Sequence, residues 1–221
     1  MKQNIDLKLL VLGILFFGFV SVNAQDPNRF IKTINQLDSI EYHFDNNKKL
    51  IVFAGSSSIR MWKNVSAYFP LYNVINNGFG GSHFSDLIYF RDKLITKQNP
   101  DFLFIYEGDN DIAGEKSPGK VYRDAKKLIK ETKRDLRKTK IVIISPKPSI
   151  ARWNLHKKYE KLNKKLKKFA EKENRVKFAD VWSAMLDDSG NVYQDIFIED
   201  GLHMNSKGYD IWKKVLVKYL D

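Results

Sequence analysis

The sequence predicts a single α/β domain, in which a parallel sheet carries helices on both faces. Two observations support this prediction. Five short apolar runs rich in Val, Ile and Phe alternate with longer amphipathic stretches, which is typical of parallel strands joined by crossover helices. No repeat, low-complexity tract or linker rich in Pro and Gly divides the chain. We therefore expect one domain over residues 25–221.

The apolar runs and the amphipathic stretches give the expected order of elements. The predicted strands are 50–54, 72–75, 101–106, 141–145 and 176–181. The predicted helices, with apolar residues at intervals of three and four, are 30–44, 59–67, 84–96, 121–138, 155–173 and 206–220. In such sheets ligands bind beyond the carboxyl ends of the strands, in the loops that lead into helices. Functional side chains are therefore expected directly after the apolar runs.

The first 24 residues have the pattern of a secretory signal peptide. Lys2 and Lys8 precede an apolar run at 9–20, and small residues lead up to Ala24. The apolar run is too short to cross a bilayer comfortably, since this takes about 20 residues. We expect cleavage near Ala24, a mature chain without a stable membrane anchor, and a periplasmic or extracellular location.

Composition excludes several kinds of site and partner. The chain has no cysteine, so disulfides, a cysteine nucleophile and thiolate metal sites are excluded. The formal net charge is +12, and the excess of Lys and Arg is concentrated in 120–177. Within that segment apolar residues such as Leu162 and Leu166 recur at helical spacing, so the lysines fall on a solvated helix face. Because no nucleic-acid recognition pattern accompanies the charge, nucleic acid is not an expected partner.

Three serines follow the first predicted strand, in the stretch Gly55-Ser56-Ser57-Ser58. A serine on a tight turn between strand and helix is exposed at the edge of the sheet, beside the free N–H groups of the helix that follows. The same serines could instead cap that helix, which is a common role for Ser. A phosphate-binding loop is not indicated, because the Gly-Lys-Ser/Thr ending is missing.

Two later loops could stabilise a negative charge. Gly78, Gly80 and Gly81 follow the second predicted strand, where glycines let backbone N–H groups approach a substrate, although a plain turn would have the same composition. Asn110 follows the third strand and can donate its side-chain N–H to an oxyanion. The carboxylates beside it lack the spacing of a calcium loop. Asp111 is expected to cap the next turn or to tie loops together.

The last candidate site precedes the C-terminal helix. Asp200 and His203 are three residues apart, which lets one short loop present both a base and the carboxylate that orients it. In such a pair the histidine takes a proton from a serine, and the carboxylate fixes the tautomer and stabilises the imidazolium. Of the other histidines, His83 lies in the loop that begins with Gly78, Gly80 and Gly81, called the glycine loop below, and could line the site.

The four segments together resemble the SGNH hydrolases, also called the GDSL-like lipase and acylhydrolase family. The matching blocks are Gly55-Ser56-Ser57 with Ser58-Ile59-Arg60-x-Trp62, Gly78-Phe79-Gly80-Gly81, Gly108-Asp109-Asn110-Asp111 and Asp200-Gly201-Leu202-His203. The resemblance spans roughly residues 50–220 and implies a flavodoxin-like three-layer α/β/α sandwich with a five-stranded parallel sheet. It departs from the family at Ser56, where the name-giving pattern has Asp.

The resemblance also implies a role for each matched residue. Ser57 would be the nucleophile, His203 the general base and Asp200 the third member of the triad. The oxyanion hole would consist of the backbone N–H of Ser57, the backbone N–H of Gly81 and the side chain of Asn110. This mechanism requires neither a metal nor an organic cofactor. The serines that flank Ser57 would then be turn and cap residues.

The substrate stays open among carbohydrate O-acetyl esters, lysophospholipids and thioesters. A short acyl group on a carbohydrate is favoured, because the sequence has no long apolar lid and a lipid needs a large apolar cleft. Trp62, Phe79, Phe84 and Trp153 could stack on a sugar, although such residues are more often core. The alternative from another class is a non-catalytic module that binds an anionic glycan or an envelope surface through its basic helices.

Overall fold

The computed structural model describes residues 26–220, so the predicted signal peptide lies outside the described residues. The chain forms a five-stranded sheet in the order β2-β1-β3-β4-β5, in which all neighbours pair in parallel. The strands are β1 Leu50–Gly55, β2 Asn73–Gly78, β3 Phe102–Tyr106, β4 Lys140–Ile144 and β5 Val176–Ala179. The predicted parallel sheet is confirmed, and every strand end lies within three residues of its predicted position.

Helices connect the strands and cover both faces of the sheet. The α-helices are α1 Ile31–Asp38, α2 Ser57–Arg60, α3 Val65–Tyr68, α4 Phe84–Tyr89, α5 Arg91–Leu94, α6 Asp109–Ala113, α7 Pro118–Asp135, α8 His156–Ala170, α9 Val181–Ala184 and α10 Ser206–Leu216. Short 3-10 turns lie at Pro27–Phe30, Thr96–Gln98, Trp153–Leu155 and Val217–Tyr219. None of the helices in residues 26–220 has both the length and the apolar character needed to cross a bilayer.

Side chains of each strand alternate between two apolar cores. Val52 and Ala54 face the core that is completed by α1, α4, α5, α7 and α8. Ile51 and Phe53 face the opposite core, which is completed by α2, α3, α9 and α10. Because both faces are buried, the strands read as continuous apolar runs. The three-layer α/β/α sandwich expected from the resemblance is therefore confirmed.

The helices predicted at 155–173 and 206–220 end three and four residues early, and three others differ more. The helix predicted at 30–44 ends at Asp38, where the hydroxyl of Ser39 donates to the carbonyl oxygen of Gln36 at 2.9 Å, a local hydrogen bond that competes with continuation of the helix. The helix predicted at 59–67 divides into α2 and α3, because the Asn76 side chain of β2 donates to two carbonyl oxygens where α2 ends. The helix predicted at 84–96 divides at Phe90, which packs edge-on against Phe79.

A close backbone approach at Gly55 brings the end of β1 against β3. Gly55 has a φ of +141°, and a Cβ at this position would lie 2.0 Å from the carbonyl oxygen of Tyr106. The N–H of Ser56 donates to the same oxygen at 3.0 Å. Only glycine fits this approach. The chain then turns sharply, so that α2 begins at Ser57 on the carboxyl edge of the sheet.

Substitution of Gly55 should therefore destabilise the whole domain. We expect Gly55→Ala to lower the free energy of unfolding by more than about 3 kcal/mol, because the new methyl group meets backbone that cannot move aside. Gly190→Ala is the control: Gly190 has a φ of +80°, and a methyl group added there would meet open space within 4 Å. It should cost only about 1–2 kcal/mol of left-handed strain. Urea denaturation measures both, and equal losses would contradict the role of Gly55.

Candidate active site

Three of the predicted site residues meet at the carboxyl edge of the sheet. Ser57 is the first residue of α2, while Asp200 and His203 lie in the loop before α10. Nε2 of His203 lies 2.9 Å from Oγ of Ser57, although 146 residues separate them in the sequence. Nδ1 of His203 lies 2.5 Å from Oδ2 of Asp200. A continuous hydrogen-bond chain therefore runs from the carboxylate through the imidazole to the hydroxyl.

The environment of Asp200 sets the direction of that chain. Its Oδ1 accepts the backbone N–H groups of Leu202 and His203, both at 2.8 Å. Burial raises the pKa of Asp200, but the hydrogen bonds from His203 and Leu202 outweigh it and bring the pKa down to about 2. An ionised carboxylate only accepts hydrogen bonds, so Nδ1 of His203 carries a proton and Nε2 of the neutral ring is an acceptor for the Ser57 hydroxyl.

Asn110 points its amide nitrogen toward the serines at the start of α2. Nδ2 of Asn110 donates to Oγ of Ser56 at 2.7 Å and to the carbonyl of Ser82 at 3.0 Å. Its Oδ1 accepts from both terminal nitrogens of Arg152, at 3.2 and 3.1 Å. Because a guanidinium only donates, this contact fixes which end of the amide faces the serines.

The serines beside Ser57 have other partners. Ser56 stands at the N-cap position of α2, but its side chain makes no capping hydrogen bond there and instead accepts from Asn110. Ser58 is 2% exposed, and its hydroxyl is hydrogen-bonded to Tyr106. The flanking serines are expected to be turn and cap residues, and Ser56 does occupy the N-cap position, but its hydroxyl accepts from Asn110 and not from the helix backbone. Of the three, Ser57 is the one bonded to a histidine.

A cleft with a volume of about 540 Å³ opens over these groups. Its lining includes Ser57, Gly81, Asn110 and His203, four of the five residues predicted for the site. The glycine loop contributes Gly81 with a φ of +79°, a conformation that favours glycine. The remaining lining is mostly polar or cationic, and its large apolar members are Phe30 and Leu202.

The aromatic residues considered for sugar stacking do not line this cleft. Trp62, Phe79 and Phe84 are at most 1% exposed and belong to the two cores. Trp153 lies beside a separate depression, which it shares with residues such as Gln194. The core interpretation is therefore confirmed for the first three. The aromatic ring that does line the cleft is Phe30, which sequence analysis did not single out.

Asp111 ties the glycine loop to α6, as predicted. It is fully buried, and its two oxygens accept the N–H of Phe84 at 3.1 Å and the ammonium of Lys116 at 2.7 Å. His83 lies with Nδ1 3.6 Å from the same carboxylate and does not line the cleft. Burial, followed by the nearby charge of Lys116, lowers the pKa of His83 to about 4. This histidine is therefore neutral at pH 7.

A buried ionic network around Asp109 lies beneath the site and was not predicted from the sequence. Oδ1 of Asp109 accepts from Arg152 at 2.6 Å and from Tyr159 at 2.8 Å, and Oδ2 accepts from Tyr106 at 2.7 Å. Burial raises the pKa of Asp109, but Lys147 and Arg152 outweigh it and lower the pKa below its usual value. Arg152 in turn binds Asn110, so this network holds the predicted oxyanion donor.

Lys147 joins the network to the loop that contains Asp200 and His203, called the histidine loop below. Its side chain is fully buried, with Nζ 3.8 Å from Oδ2 of Asp109 and 2.6 Å from the carbonyl oxygen of Leu202, the residue before His203. Burial lowers the pKa of Lys147, while the charge of Asp109 opposes this. The available sequence signal was a lysine between two prolines, Pro146 and Pro148, directly after β4.

A second buried carboxyl group supports the glycine loop. Glu107 is 1% exposed, and its Oε1 accepts the hydroxyl of Ser82 at 2.5 Å. Burial, together with the nearby charge of Asp111, raises its pKa well above the usual range. The carbonyl of Ser82 is the acceptor that orients Asn110. No group of three His, Cys, Asp or Glu side chains in residues 26–220 is arranged to hold a metal ion.

Comparison with solved structures shows the same fold in several bacterial proteins. A candidate platelet activating factor from Streptococcus pneumonia is 21% identical and has a TM-score of 0.76, with 88% of this chain and 92% of that chain covered. A GDSL-like lipase from Bacteroides thetaiotaomicron VPI-5482 is 18% identical, with a TM-score of 0.71 and coverage of 87% and 96%. A variant of an acetylxylan esterase from Geobacillus stearothermophilus is 17% identical, with a TM-score of 0.64 and coverage of 78% and 94%.

Sequence comparison identifies the family. None of the curated proteins matches the chain. The model of the GDSL-like Lipase/Acylhydrolase family matches residues 38–211, which include every block that carries the resemblance and most of the described sequence. The chain therefore belongs to the GDSL-like lipase and acylhydrolase family, the SGNH hydrolases.

Proposed function

We propose that the protein is a serine esterase that hydrolyses carboxylic esters through an acyl-enzyme on Ser57. The observation that supports this proposal is the hydrogen-bond chain from Asp200 through His203 to Ser57, which ends in an open cleft. Such a chain converts an ordinary hydroxyl into a nucleophile, because the imidazole accepts its proton as the oxygen attacks.

The proposed reaction has two halves with the same geometry. Oγ of Ser57 attacks the ester carbonyl while Nε2 of His203 takes the hydroxyl proton, and the carbonyl π electrons move onto oxygen. When the tetrahedral intermediate collapses, His203 returns the proton to the departing alcohol and Asp200 stabilises the transient imidazolium. Water then attacks the acyl-enzyme in the same manner and releases the acid.

The oxyanion would lie among three donors, the backbone N–H groups of Ser57 and Gly81 and the side-chain amide of Asn110. In the free site one N–H of Asn110 is held by the Ser56 hydroxyl at 2.7 Å. A hydroxyl is a weaker acceptor than an oxyanion, so this hydrogen is available to the developing charge. The contact with Arg152 keeps the amide oriented before substrate arrives.

A short acyl group on a carbohydrate is the proposed substrate. The cleft has few large apolar residues, whereas the long chain of a lysophospholipid would need a large apolar surface. One protein of the same fold is an acetylxylan esterase. In this proposal the protein acts outside the cytoplasm, because residues 1–24 have the pattern of a signal peptide.

Hydrolysis of a nitrophenyl ester series from acetate to octanoate tests this function. We expect the mature chain, which lacks residues 1–24, to prefer acetate, and both Ser57→Ala and His203→Ala to fall to background. Ser58→Ala is the matched control: it removes the neighbouring hydroxyl and should keep most of the activity. Equal activity in wild type and Ser57→Ala would contradict the proposal. A preference for octanoate would favour a lipase, and inactivity of every form towards esters and acetylated glycans would favour a binding module.

Removal of the Asn110 donor should slow the reaction without weakening the nucleophile. We expect Asn110→Ala to lower kcat by about 100-fold or more, since one oxyanion donor typically contributes this much. Asn64→Ala, at an exposed position whose side chain makes no capping hydrogen bond, is the control and should behave as wild type. A loss below threefold in a variant that keeps the wild-type circular dichroism spectrum would remove Asn110 from this role.

A further inference from the structure

The lining of the cleft over Ser57 is rich in arginine. Three arginines line it, Arg29, Arg60 and Arg152, and no Asp or Glu side chain in residues 26–220 does so. The net charge of the lining is therefore positive, and a cleft of one sign raises the local concentration of ligands of the opposite sign. None of these arginines belongs to the proposed triad or oxyanion hole, and Arg60 has no role in the site as described above.

Two of the three arginines already have a structural partner. Arg152 is ion-paired with Asp109 at 2.6 Å and holds Asn110. Arg29 lies 3.3 Å from a carboxylate oxygen of Asp86 and stacks over the ring of Phe30. Arg60 differs from both, because no carboxylate in the described part of the chain lies within ion-pair distance of its guanidinium. Its charge is therefore not neutralised by a neighbouring Asp or Glu among these residues.

The guanidinium of Arg60 packs against the glycine loop. Arg60 ends α2, one helical turn after Ser57. Its Nε lies 2.7 Å from the place where a Cβ on Gly80 would stand. Gly80 does not have a positive φ, so its backbone does not require glycine there. The missing side chain instead makes room for the guanidinium to lie against the loop, beside the cleft that Ser57 opens into.

We propose that Arg60 binds an anionic group on the alcohol part of the substrate, so that the natural substrate is an O-acylated acidic sugar. This inference rests on the proposed function. If the acyl group is as small as acetyl, it has no room for a charge, and the anion must be carried by the sugar. A guanidinium recognises a carboxylate or a phosphate through two parallel N–H donors. The shared chemistry is therefore a sugar that bears a carboxylate or a phosphate.

Matched pairs of acetylated sugars test the inference. The first pair is methyl 2,3,4-tri-O-acetyl-glucopyranosiduronic acid and its neutral primary amide. The second is methyl 2,3,4-tri-O-acetyl-glucopyranoside 6-phosphate and the neutral 6-O-methyl ether. Acetate release by the mature chain gives kcat/KM for each sugar, and the charged-to-neutral ratio is the readout. The pair with the larger ratio identifies the carboxylate or the phosphate as the preferred anion.

The charged-to-neutral ratio of kcat/KM should depend on Arg60 and not on Lys63, a nearby cation outside the cleft lining. We expect wild type to prefer the charged sugar of at least one pair by about 10-fold, and less at high salt. Arg60→Gln should bring that ratio to within about threefold of one, whereas Arg60→Lys should keep part of it. Gly80→Ala should also lower it, since the new methyl group displaces the guanidinium. Lys63→Gln removes an exposed charge outside the cleft lining and should leave the ratio unchanged.

Failure of this inference differs from failure of the proposed function. Hydrolysis of neutral and charged sugars at equal rates would overturn the role of Arg60 and leave the carbohydrate esterase standing. A charge preference that survives in Arg60→Gln would overturn it as well. If nitrophenyl acetate is hydrolysed but no acetylated sugar is, both the carbohydrate substrate and the acidic-sugar assignment are wrong.

Discussion

The buried carboxylate of Asp109 is the constraint on which the site depends. A charge inside a protein is costly unless it is paired and hydrogen-bonded, and Asp109 meets this demand with groups from separate parts of the chain. Tyr106 comes from β3 and Tyr159 from α8, while Arg152 and Lys147 follow β4. These cations also bind groups of the active site. Compensation of one buried charge thereby links Asn110, the proposed oxyanion donor, to the loop that carries His203.

The remaining parts of the site are placed by the sheet. Parallel strands end at one edge, so Ser57 beyond β1, Gly81 beyond β2 and Asn110 beyond β3 come together without any special loop. Gly55 makes the first of these turns possible because its backbone passes against Tyr106. The histidine loop reaches the same edge from the far end of the chain, where Lys147 holds the carbonyl of Leu202. The fold brings these groups together, and the buried network sets their orientation.

Local patterns in the sequence were enough to predict the parallel sheet and the residues that meet at its edge. The apolar run before Gly55 and the spacing of Asp200 and His203 are properties of neighbouring residues, and the family blocks gave their register. The break between α2 and α3 was not predictable in this way, because it depends on Asn76 from another strand. The contacts of Arg152 and Arg60 were not predictable either, because their partners, Asp109 and Gly80, lie in other loops of the folded chain.

The cleft places the proposed nucleophile, Ser57, beside a lining that consists mostly of arginines and other polar residues. Labelling with diisopropyl fluorophosphate tests whether Ser57 is the nucleophile, because an activated serine displaces fluoride and forms a phosphoester. Trypsin should release residues 50–60 as one peptide that contains all three adjacent serines, and tandem mass spectrometry then locates the label. We expect modification of Ser57 in wild type and its loss in His203→Ala. A label on Ser56 or Ser58, or no label in a protein that hydrolyses esters, would contradict it.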